Sequence, residues 1–450
     1  LNKLDRDRVF GNLAATINFT EELSLILRCG MDLNNDFRTQ QKPKGAKTYI
    51  NGMYKEQTVF DYEMNNDFLL RYTKKLNDFD LSASFGGNNM MQSYRSNTSL
   101  AESLVVDRDY RLSNSVDRPK VTSIRRQKSI NSFYGLISAS WRNMIFLDVT
   151  GRNDWSSTLA PGNNSYFYPS VSGSVILSDL LHIDTPMVNF LKVRASWAEV
   201  GSPIPWGISY LTYKWKQGSW STSATRPIQN LRPKNTTSWE VGLNARLFAN
   251  SLSLDFTYYK SNTKHQTFLV PLSGSAGYEN MYAQTGNVEN KGFELSIGYD
   301  KTWRDFSWSS SLTLSHNKNK VVELMNNYYD PQTDKYYTLK EYEVASMGGA
   351  NFIMTEGGTM GDLYAYGDLR LDENGYIYIN PNDPKLMVTD ERIKLGSVLP
   401  DYNAGFRNDF SYKGINLSLL FSARFGGIVV SPTQGFLDGL GVSKASADAR

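Results

Sequence analysis

The chain has 450 residues, of which 13% are aromatic, and its 48 basic and 45 acidic residues give a formal charge of +3. This balance does not favour a nucleic-acid-binding protein, which needs a concentrated basic face, and the aromatic content excludes a disordered chain. No run of about 18 apolar residues occurs, which excludes a helical membrane protein but not a membrane β-barrel, whose strands alternate apolar and polar residues.

Apolar and polar residues alternate with a period of two along most of the chain, which is the pattern of a strand with one apolar face. Trp239 and Val241, for example, alternate with Glu240 and Gly242. In chain order, the alternation predicts strands at residues 13–19, 23–33, 58–74, 79–85, 133–141, 145–149, 166–178, 191–197, 239–247, 252–259, 293–300, 306–314, 402–410 and 415–425. We therefore predict an all-β, antiparallel fold with about 14 strands.

The predicted connections alternate between short turns and long links. Long links are expected at about residues 34–56, 89–131, 153–165, 201–237, 262–290 and 318–400. Short turns at one rim and long loops at the other are typical of bacterial outer-membrane barrels. A soluble β-rich repeat protein or adhesin is the alternative, but no fixed repeat of about 20–50 residues appears. We therefore predict a transmembrane β-barrel of a Gram-negative outer membrane, with the long loops extracellular.

The first and last predicted strands place both ends of the chain on the rim of the long loops. A barrel must close its sheet, because an open strand edge in lipid leaves backbone groups without partners. We therefore expect at least one more strand beyond each end, and we interpret residues 1–450 as a single domain, a partial barrel truncated at both ends. The single cysteine, Cys29, excludes an internal disulfide framework.

Motifs that carry catalysis or metal binding are nearly absent. The three histidines, His182, His265 and His316, are far apart in the sequence and lack metal-ligand spacing. Residues 372–375 resemble part of a calcium-binding loop, but the first and last ligands of that loop are missing, so a tight hairpin turn is favoured. The sequence therefore predicts that the protein is not an enzyme, and it offers no catalytic, cofactor-binding or metal-binding residue.

The predicted loop 201–237 is rich in aromatic side chains. Flat rings on a long loop suit stacking on sugar faces or binding of a peptide, and loops commonly carry function. The candidate substrate-binding residues are Trp206, Tyr210, Tyr213, Trp215 and Trp220. The alternative is that these rings pack against one another within a long extracellular loop.

The polar face of the predicted strands would point into the barrel. Its charged residues either line a passage or solvate a wet interior. They include Arg194, Glu240, Arg246, Glu294 and Asp300.

A set of short stretches occurs in order over about residues 151–425. They are residues 151–157, 168–173, 191–197, 200–201, 231–233, 237–243, 287–295 and 396–402. Taken together, the set resembles the SusC/RagA-type TonB-dependent transporters of Bacteroidetes outer membranes. Trp155 departs from the family pattern, in which small residues are common at that position.

The resemblance implies a barrel of about 22 strands whose plug domain and terminal strand would lie outside this sequence. It also implies a TonB-type energising partner, a SusD-like lid lipoprotein, and import of glycans or, in some members, peptides. The predicted function is active import of an oligomeric nutrient, a glycan in preference to a peptide, across the outer membrane, with no cofactor and no nucleic acid. The alternative is a passive porin or an adhesive surface β-barrel without energy coupling.

Overall fold

The computed structural model describes residues 2–209, 213–216, 219–222, 224–226, 231–272, 278–330, 334–347, 349–368, 370–380 and 383–448. In chain order the strands are β1 (Asn2–Asn18), β2 (Leu23–Ala46), β3 (Tyr49–Leu76), β4 (Phe79–Ala101), β5 (Lys120–Trp141), β6 (Ile145–Ser156), β7 (Ser165–Ile176), β8 (Val188–Ser202), β9 (Tyr213–Lys216), β10 (Ser219–Thr222), β11 (Thr225–Arg226), β12 (Lys234–Leu247), β13 (Leu252–Pro271), β14 (Asn280–Trp303), β15 (Phe306–Glu323), β16 (Met325–Asp330), β17 (Lys335–Leu339), β18 (Glu341–Met347), β19 (Ala350–Thr355), β20 (Asp362–Tyr366), β21 (Ile379–Asn380), β22 (Asp383–Leu386), β23 (Arg392–Ser397), β24 (Tyr402–Tyr412) and β25 (Ile415–Phe425). The helices are short: α1 (Leu177–Leu180), α2 (Pro432–Gly439) and α3 (Lys444–Asp448). Within the described ranges, no helix is long and apolar enough to cross a membrane.

Fourteen strands form the main sheet, in the order β1-β2-β3-β4-β5-β6-β7-β8-β12-β13-β14-β15-β24-β25, and β11 joins it beside β14. The hairpin pairs from β1–β2 to β5–β6 are antiparallel, as are β12–β13, β14–β15, β15–β24 and β24–β25. Most neighbouring strands of this sheet follow one another in the chain, as successive hairpins require, whereas β8–β12 and β15–β24 are joined by longer segments. The predicted all-β, antiparallel fold with about 14 strands is confirmed.

The chain divides into two compact units. The first contains Leu1–Val171, Val200–Pro233 and Val270–Tyr282, and the second contains Ser172–Glu199, Lys234–Leu269 and Ala283–Arg450. Strands β1–β6 lie wholly in the first unit, and β15–β25 lie wholly in the second. Some long strands, such as β7, contribute residues to both.

In the first unit, hydrogen-bonded hairpins extend far beyond the predicted strands. Strands β2 and β3 pair continuously as far as Ala46 and Tyr49, so only residues 47–48 remain of the predicted loop 34–56. Likewise, β4 and β5 leave a link of residues 102–119 where 89–131 was predicted. This corrects the loop boundaries. The apolar signature ends where both faces of a hairpin meet water, although the backbone ladder continues.

The remaining predicted loops also contain strand. The links are residues 157–164 in place of 153–165 and 272–279 in place of 262–290, and β9, β10 and β11 lie within 201–237. In the second unit, the region 318–400 holds the hairpin β16–β17 and a four-stranded sheet, β18-β19-β20-β23. Leu363 and Ile353 are buried there, and Lys394 binds the buried Asp362 at 2.6 Å. This region is therefore a folded element with its own core.

The apolar residues of the main strands share one face. In the second unit Leu243 lies opposite Phe256, and Ala245 lies opposite Leu254. In the first unit Phe133 contacts Trp155 edge to face at 6.0 Å, so the tryptophan that departs from the family pattern belongs to this apolar face. The side-chain alternation read from the sequence is thus reproduced in space.

A row of asparagines crosses the apolar face of β3, β4 and β5, and on β5 the next residues of this face, Ser129, Gln127 and Arg125, are polar. Asn66 lies opposite Asn89, which lies opposite Asn131, and the Asn89 side-chain amide donates to Asn131 Oδ1 at 2.6 Å. From the short turn at Phe79 to this row, ten residues of strand span about 33 Å. At a tilt of about 40° they rise about 25 Å, which is the height of an outer-membrane apolar band.

Tight turns at the short-link side have residues with positive φ. Asn77, Asn250 and Lys413 have φ values of 52°, 62° and 44°. The predicted turn at 372–375 is also present: Gly375 has a φ of 83°, and the Asn374 N–H donates to Asp372 Oδ1 at 2.8 Å. The hairpin interpretation of this stretch is confirmed.

Candidate functional site

The polar face of β1 and β2 carries arginines paired with carboxylates. Arg6 Nε donates to Asp36 Oδ1 at 2.7 Å, and Arg38 Nη2 donates to Asp36 Oδ2 at 2.5 Å. Asp36 is only 2% exposed, and its hydrogen bonds to Arg6 and then Arg38 hold its pKa well below the usual range. Nearer the short turn between β1 and β2, Arg8 Nη2 binds Asp32 Oδ2 at 2.6 Å. This part of the polar face therefore offers many polar groups but little net charge.

The polar network continues across β2, β3, β5 and β6. Arg28 Nη2 donates to Asp67 Oδ2 at 2.8 Å, and the Tyr134 hydroxyl donates to the same oxygen at 3.4 Å. The guanidinium of Arg152 lies over the Tyr134 ring at 5.7 Å. Gly86 makes this arrangement possible, because a Cβ at Gly86 would come within 2.5 Å of the Tyr134 ring.

Two of the stretches that resemble the family meet at Asp154. Arg152 Nε donates to Asp154 Oδ1 at 2.7 Å, and the Tyr168 hydroxyl donates to Asp154 Oδ2 at 2.7 Å. Arg152 Nη2 also donates to Ser132 Oγ at 2.8 Å. Residues 151–157 and 168–173 are therefore linked through a buried carboxylate, which fixes β6 against β7.

An apolar cluster lies beside this carboxylate. Leu159, Tyr166, Ile204 and Leu231 are buried together, and Tyr168 packs against them. Leu231 comes from another of the family-like stretches, 231–233. The cluster therefore packs Ile204 and Leu231, which lie toward the two ends of the 201–237 region, against Tyr166 of β7.

The second unit has a comparable polar centre at Arg194. Arg194 donates to Asn244 Oδ1, to Asp255 Oδ1 at 2.9 Å and to Thr257 Oγ1 at 2.6 Å. A groove of ≈ 640 Å³ adjoins it. The groove is lined by Arg194, Asp255, Thr257, Glu294, Leu295, Ser296, Thr313, Leu314, Ser315, Asn403, Ala404 and Gly405. The predicted wall residues Arg194 and Glu294 thus meet in one polar groove.

The other predicted wall residues are more scattered. Glu240 lies opposite Tyr259, and the Arg246 guanidinium lies over the Phe190 ring at 5.8 Å. Asp300 lies opposite Ser309, near the short turns. All three lie on the same polar face as Arg194, but the structure does not bring them together into one centre.

The predicted aromatic site is described only in part. Trp206 is 46% exposed, and its ring lies 5.7 Å from the guanidinium carbon of Arg126. Tyr210 lies outside the described residues. Tyr213, Trp215 and Trp220 have described backbones in β9 and β10, with Trp220 opposite Trp215, but their side chains lie outside the described set. A shared substrate-binding site for the five residues stays a prediction.

The histidines do not form a centre. His316 Nδ1 is 2.6 Å from the Asp401 carbonyl oxygen, and its ring contacts Phe293 and Tyr402. Across the described part of the chain, no three His, Cys, Asp or Glu side chains are grouped closely enough to hold a metal ion.

Comparison with known proteins identifies the family. Residues 2–339 match the family model described as "TonB dependent receptor-like, beta-barrel". The chain belongs to this family. The predicted recognition as a TonB-dependent receptor barrel of the outer membrane is therefore confirmed.

Curated relatives carry the same family name. The chain is 26% identical over 356 residues to TonB-dependent receptor P3 of Formosa agariphila, covering 73% of this chain and 35% of the relative. It is 27% identical over 416 residues to TonB-dependent receptor P26 of the same organism, covering 87% of this chain and 42% of the relative. The chain therefore spans well under half the length of these relatives.

Solved structures show the same fold. The RagAB peptide transporter matches with a TM-score of 0.76 at 18% identity, over 94% of this chain and 48% of that chain. The RagAB peptide importer in its "open-open" state matches with a TM-score of 0.74 at 19% identity, over 95% of this chain and 48% of that chain. In a TonB-dependent receptor barrel, the apolar face contacts lipid and the polar face lines the lumen.

Proposed function

We propose that the complete receptor imports an oligomeric nutrient across the outer membrane, using energy from a TonB-type protein. The match of residues 2–339 to a TonB-dependent receptor barrel carries this proposal. The relatives that span this region are named TonB-dependent receptors, and the chain supplies only part of such a receptor. The plug and the segment that contacts the energising protein would belong to the rest of it.

The lumen wall suits the passage of a large hydrated ligand. Its arginines are mostly paired with carboxylates, as at Asp36 and Asp67, so the wall offers hydrogen bonds without a strong net charge. A ligand can exchange water for such groups without being held by one fixed ion. The lipid bilayer contacts the opposite, apolar face, which keeps the passage insulated.

We propose a glycan in preference to a peptide as the ligand, with Trp206, Tyr210, Tyr213, Trp215 and Trp220 as stacking residues. The 46% exposure of Trp206 supports this choice, since it leaves part of an aromatic ring available to a ligand. The RagAB match is to a peptide transporter, but at 18% identity it supports the fold and not the ligand. The proposal includes a SusD-like lipoprotein as the lid, and it contains no chemical step, cofactor or nucleic acid.

A passive porin or an adhesive barrel without energy coupling is the second candidate, because the barrel wall alone does not distinguish these functions. Single-channel conductance of the complete receptor in a planar bilayer separates them. A plugged transporter stays closed at low voltage, whereas a porin conducts steadily.

Growth of the host after deletion of the receptor gene tests the ligand class. Growth on a defined oligosaccharide is compared with growth on a peptide mixture. A steadily open channel contradicts active import, and a growth defect on peptides alone contradicts the glycan.

A further inference from the structure

An arginine contacts two aromatic rings on the lumen-facing side of the first unit. The Arg126 guanidinium carbon is 5.7 Å from the Tyr94 ring centroid and 5.7 Å from the Trp206 ring centroid. Tyr94 on β4 is directly opposite Arg126 on β5 in the strand register, and Trp206 reaches it from the segment after β8. Both distances are within the range of a favourable cation–π contact.

The position of Arg126 places it outside the membrane and on the polar face. It lies five residues beyond Asn131, the asparagine that ends the apolar face of β5. Arg126 is an even number of residues from Tyr134 and therefore lies on the same, lumen-facing side of β5. Its neighbour Arg125 lies on the other side, with the lipid-facing Phe133. A ligand that enters from the extracellular side therefore meets Arg126 before it reaches the membrane-spanning wall.

Arg126 differs from Arg6, Arg28 and Arg152 in its charged surroundings. Arg6, Arg28 and Arg152 each bind a carboxylate within 3 Å, but within the described ranges no carboxylate lies at ion-pair distance from Arg126. The nearest acidic side chain by register on this face is Asp61, two strands away, or about 10 Å. Lys128, two residues along the same face, adds a second positive charge.

The two ring contacts engage the positive charge of Arg126 and not its hydrogen-bond donors. The N–H groups of the guanidinium are therefore available to a ligand. A planar guanidinium fits a carboxylate or a sulfate ester through paired hydrogen bonds. Trp206 remains 46% exposed and supplies an adjacent apolar ring on which a sugar can stack.

We propose that Arg126, held in contact with Tyr94 and Trp206, binds an acidic group of a saccharide ligand at the extracellular entrance. The acidic group is a carboxylate or a sulfate ester, and the sugar ring that carries it contacts Trp206. This inference rests on the proposed import function and narrows its ligand to acidic glycans. Lys128 contributes long-range attraction, which brings the ligand to the site faster at low salt.

The test is binding to the purified complete receptor, measured by calorimetry with four probes. Tetragalacturonate offers carboxylates, a carrageenan tetrasaccharide offers sulfate esters, maltotetraose is neutral, and tetraglutamate is an acidic peptide. At least one acidic saccharide should bind more tightly than maltotetraose and tetraglutamate, and the better of the two identifies the acidic group. Loss of charge-assisted hydrogen bonds in Arg126→Gln should weaken that binding about ten-fold or more.

Arg125→Gln is the matched control, since it removes the same charge from the opposite face of the same strand. It should leave binding within about two-fold, because Arg125 lies outside the lumen and its charge is screened by salt. Trp206→Ala should weaken binding of the saccharide but leave the receptor folded, which the heat-modifiable gel band of the folded barrel measures. The proposal is overturned if Arg126→Gln binds the saccharide as tightly as wild type, or if the two arginine variants lose binding equally. It is also overturned if maltotetraose or tetraglutamate binds most tightly, or if neither acidic saccharide binds. Energy-dependent uptake that does not need Arg126 overturns this site alone, whereas Arg126-dependent binding without uptake overturns the import function alone.

Discussion

Gly242 lies directly beneath the side chain of Arg194. A Cβ built at Gly242 would be 2.6 Å from Arg194 Nε, so only glycine leaves room for the guanidinium against β12. The same guanidinium binds Asp255 on β13 at 2.9 Å. The absence of a side chain at Gly242 on β12 thus allows an ion pair between the two strands beside it, β8 and β13.

Gly242→Ala should destabilise the folded barrel, because the added methyl group displaces Arg194 from its partners. Overpacking of this kind costs about 1–3 kcal/mol. The temperature at which the heat-modifiable gel band disappears should fall. Gly11→Ala is the control, since no atom lies within 4 Å of a Cβ at Gly11, and it should leave that temperature unchanged. Equal temperatures for Gly242→Ala and wild type would show that Arg194 is not held by this contact.

Asp36→Asn should loosen the extracellular ends of β1 and β2. The pKa of Asp36 is held well below its usual range by hydrogen bonds from Arg6 and Arg38. Its charge therefore stabilises the fold at any pH above the ordinary value of about 4, and this stabilisation is lost as the pH falls toward the folded value. Hydrogen–deuterium exchange at pH 7 should be faster in these strand ends in the variant. The exposed Asp7 provides the control, and exchange as fast in Asp7→Asn as in Asp36→Asn would contradict the role of the pair.

Asp61→Asn should have the opposite effect on stability. Burial, followed by repulsion from Asp32 and other carboxylates, raises the pKa of Asp61, which lies on β3 outside the membrane-spanning segment. The charged form is therefore unfavourable in the fold above the raised pKa, and this penalty disappears when the pH falls below the ordinary value of about 4. The thermal midpoint of the variant should exceed that of wild type at pH 7, and the two should converge in acid. A lower midpoint at pH 7 would indicate that the charge is stabilised by a partner.

Arginine introduced on the two faces of β25 should have unequal effects. Phe421 lies on the apolar face, opposite Phe406, whereas the adjacent Ser422 lies on the polar face, opposite Gly405. Phe421→Arg should cost about 2–4 kcal/mol near the bilayer midplane and lower the amount of folded receptor, while Ser422→Arg faces the lumen and should be tolerated. Urea-dependent folding into lipid vesicles measures both. Equal destabilisation would show that the faces are assigned incorrectly.

The sequence predicted the faces of the strands more accurately than their ends. Alternation at Trp239, Val241 and Leu243 identified the lipid-facing side, because contact with lipid demands an apolar residue at every second position. No such demand exists where β2 and β3 continue to Ala46 and Tyr49, since water can contact both faces there. The predicted loops were therefore longer than the observed links.

Cross-strand relationships were not predictable from a single sequence. Arg126 and Tyr94 are 32 positions apart in the chain and meet only because the register of β4 and β5 places them opposite each other. Trp206 is a candidate from the sequence because it belongs to a long loop rich in flat aromatic rings, but nothing in its own segment indicates an arginine partner. Charged residues such as Arg194 were assigned to the lumen by parity, whereas their ion pairs depend on strands that the sequence does not align.

The most direct measurement of the central claim is uptake of a labelled oligosaccharide by cells that produce the complete receptor, with and without the TonB-type energising protein. The oligosaccharide is the one that binds most tightly to the purified receptor. We expect ligand to bind at the cell surface in both strains, but to accumulate inside only when the energising protein is present, because the barrel supplies a passage and not the energy. Equal accumulation in the two strains would contradict active import and support a passive pore.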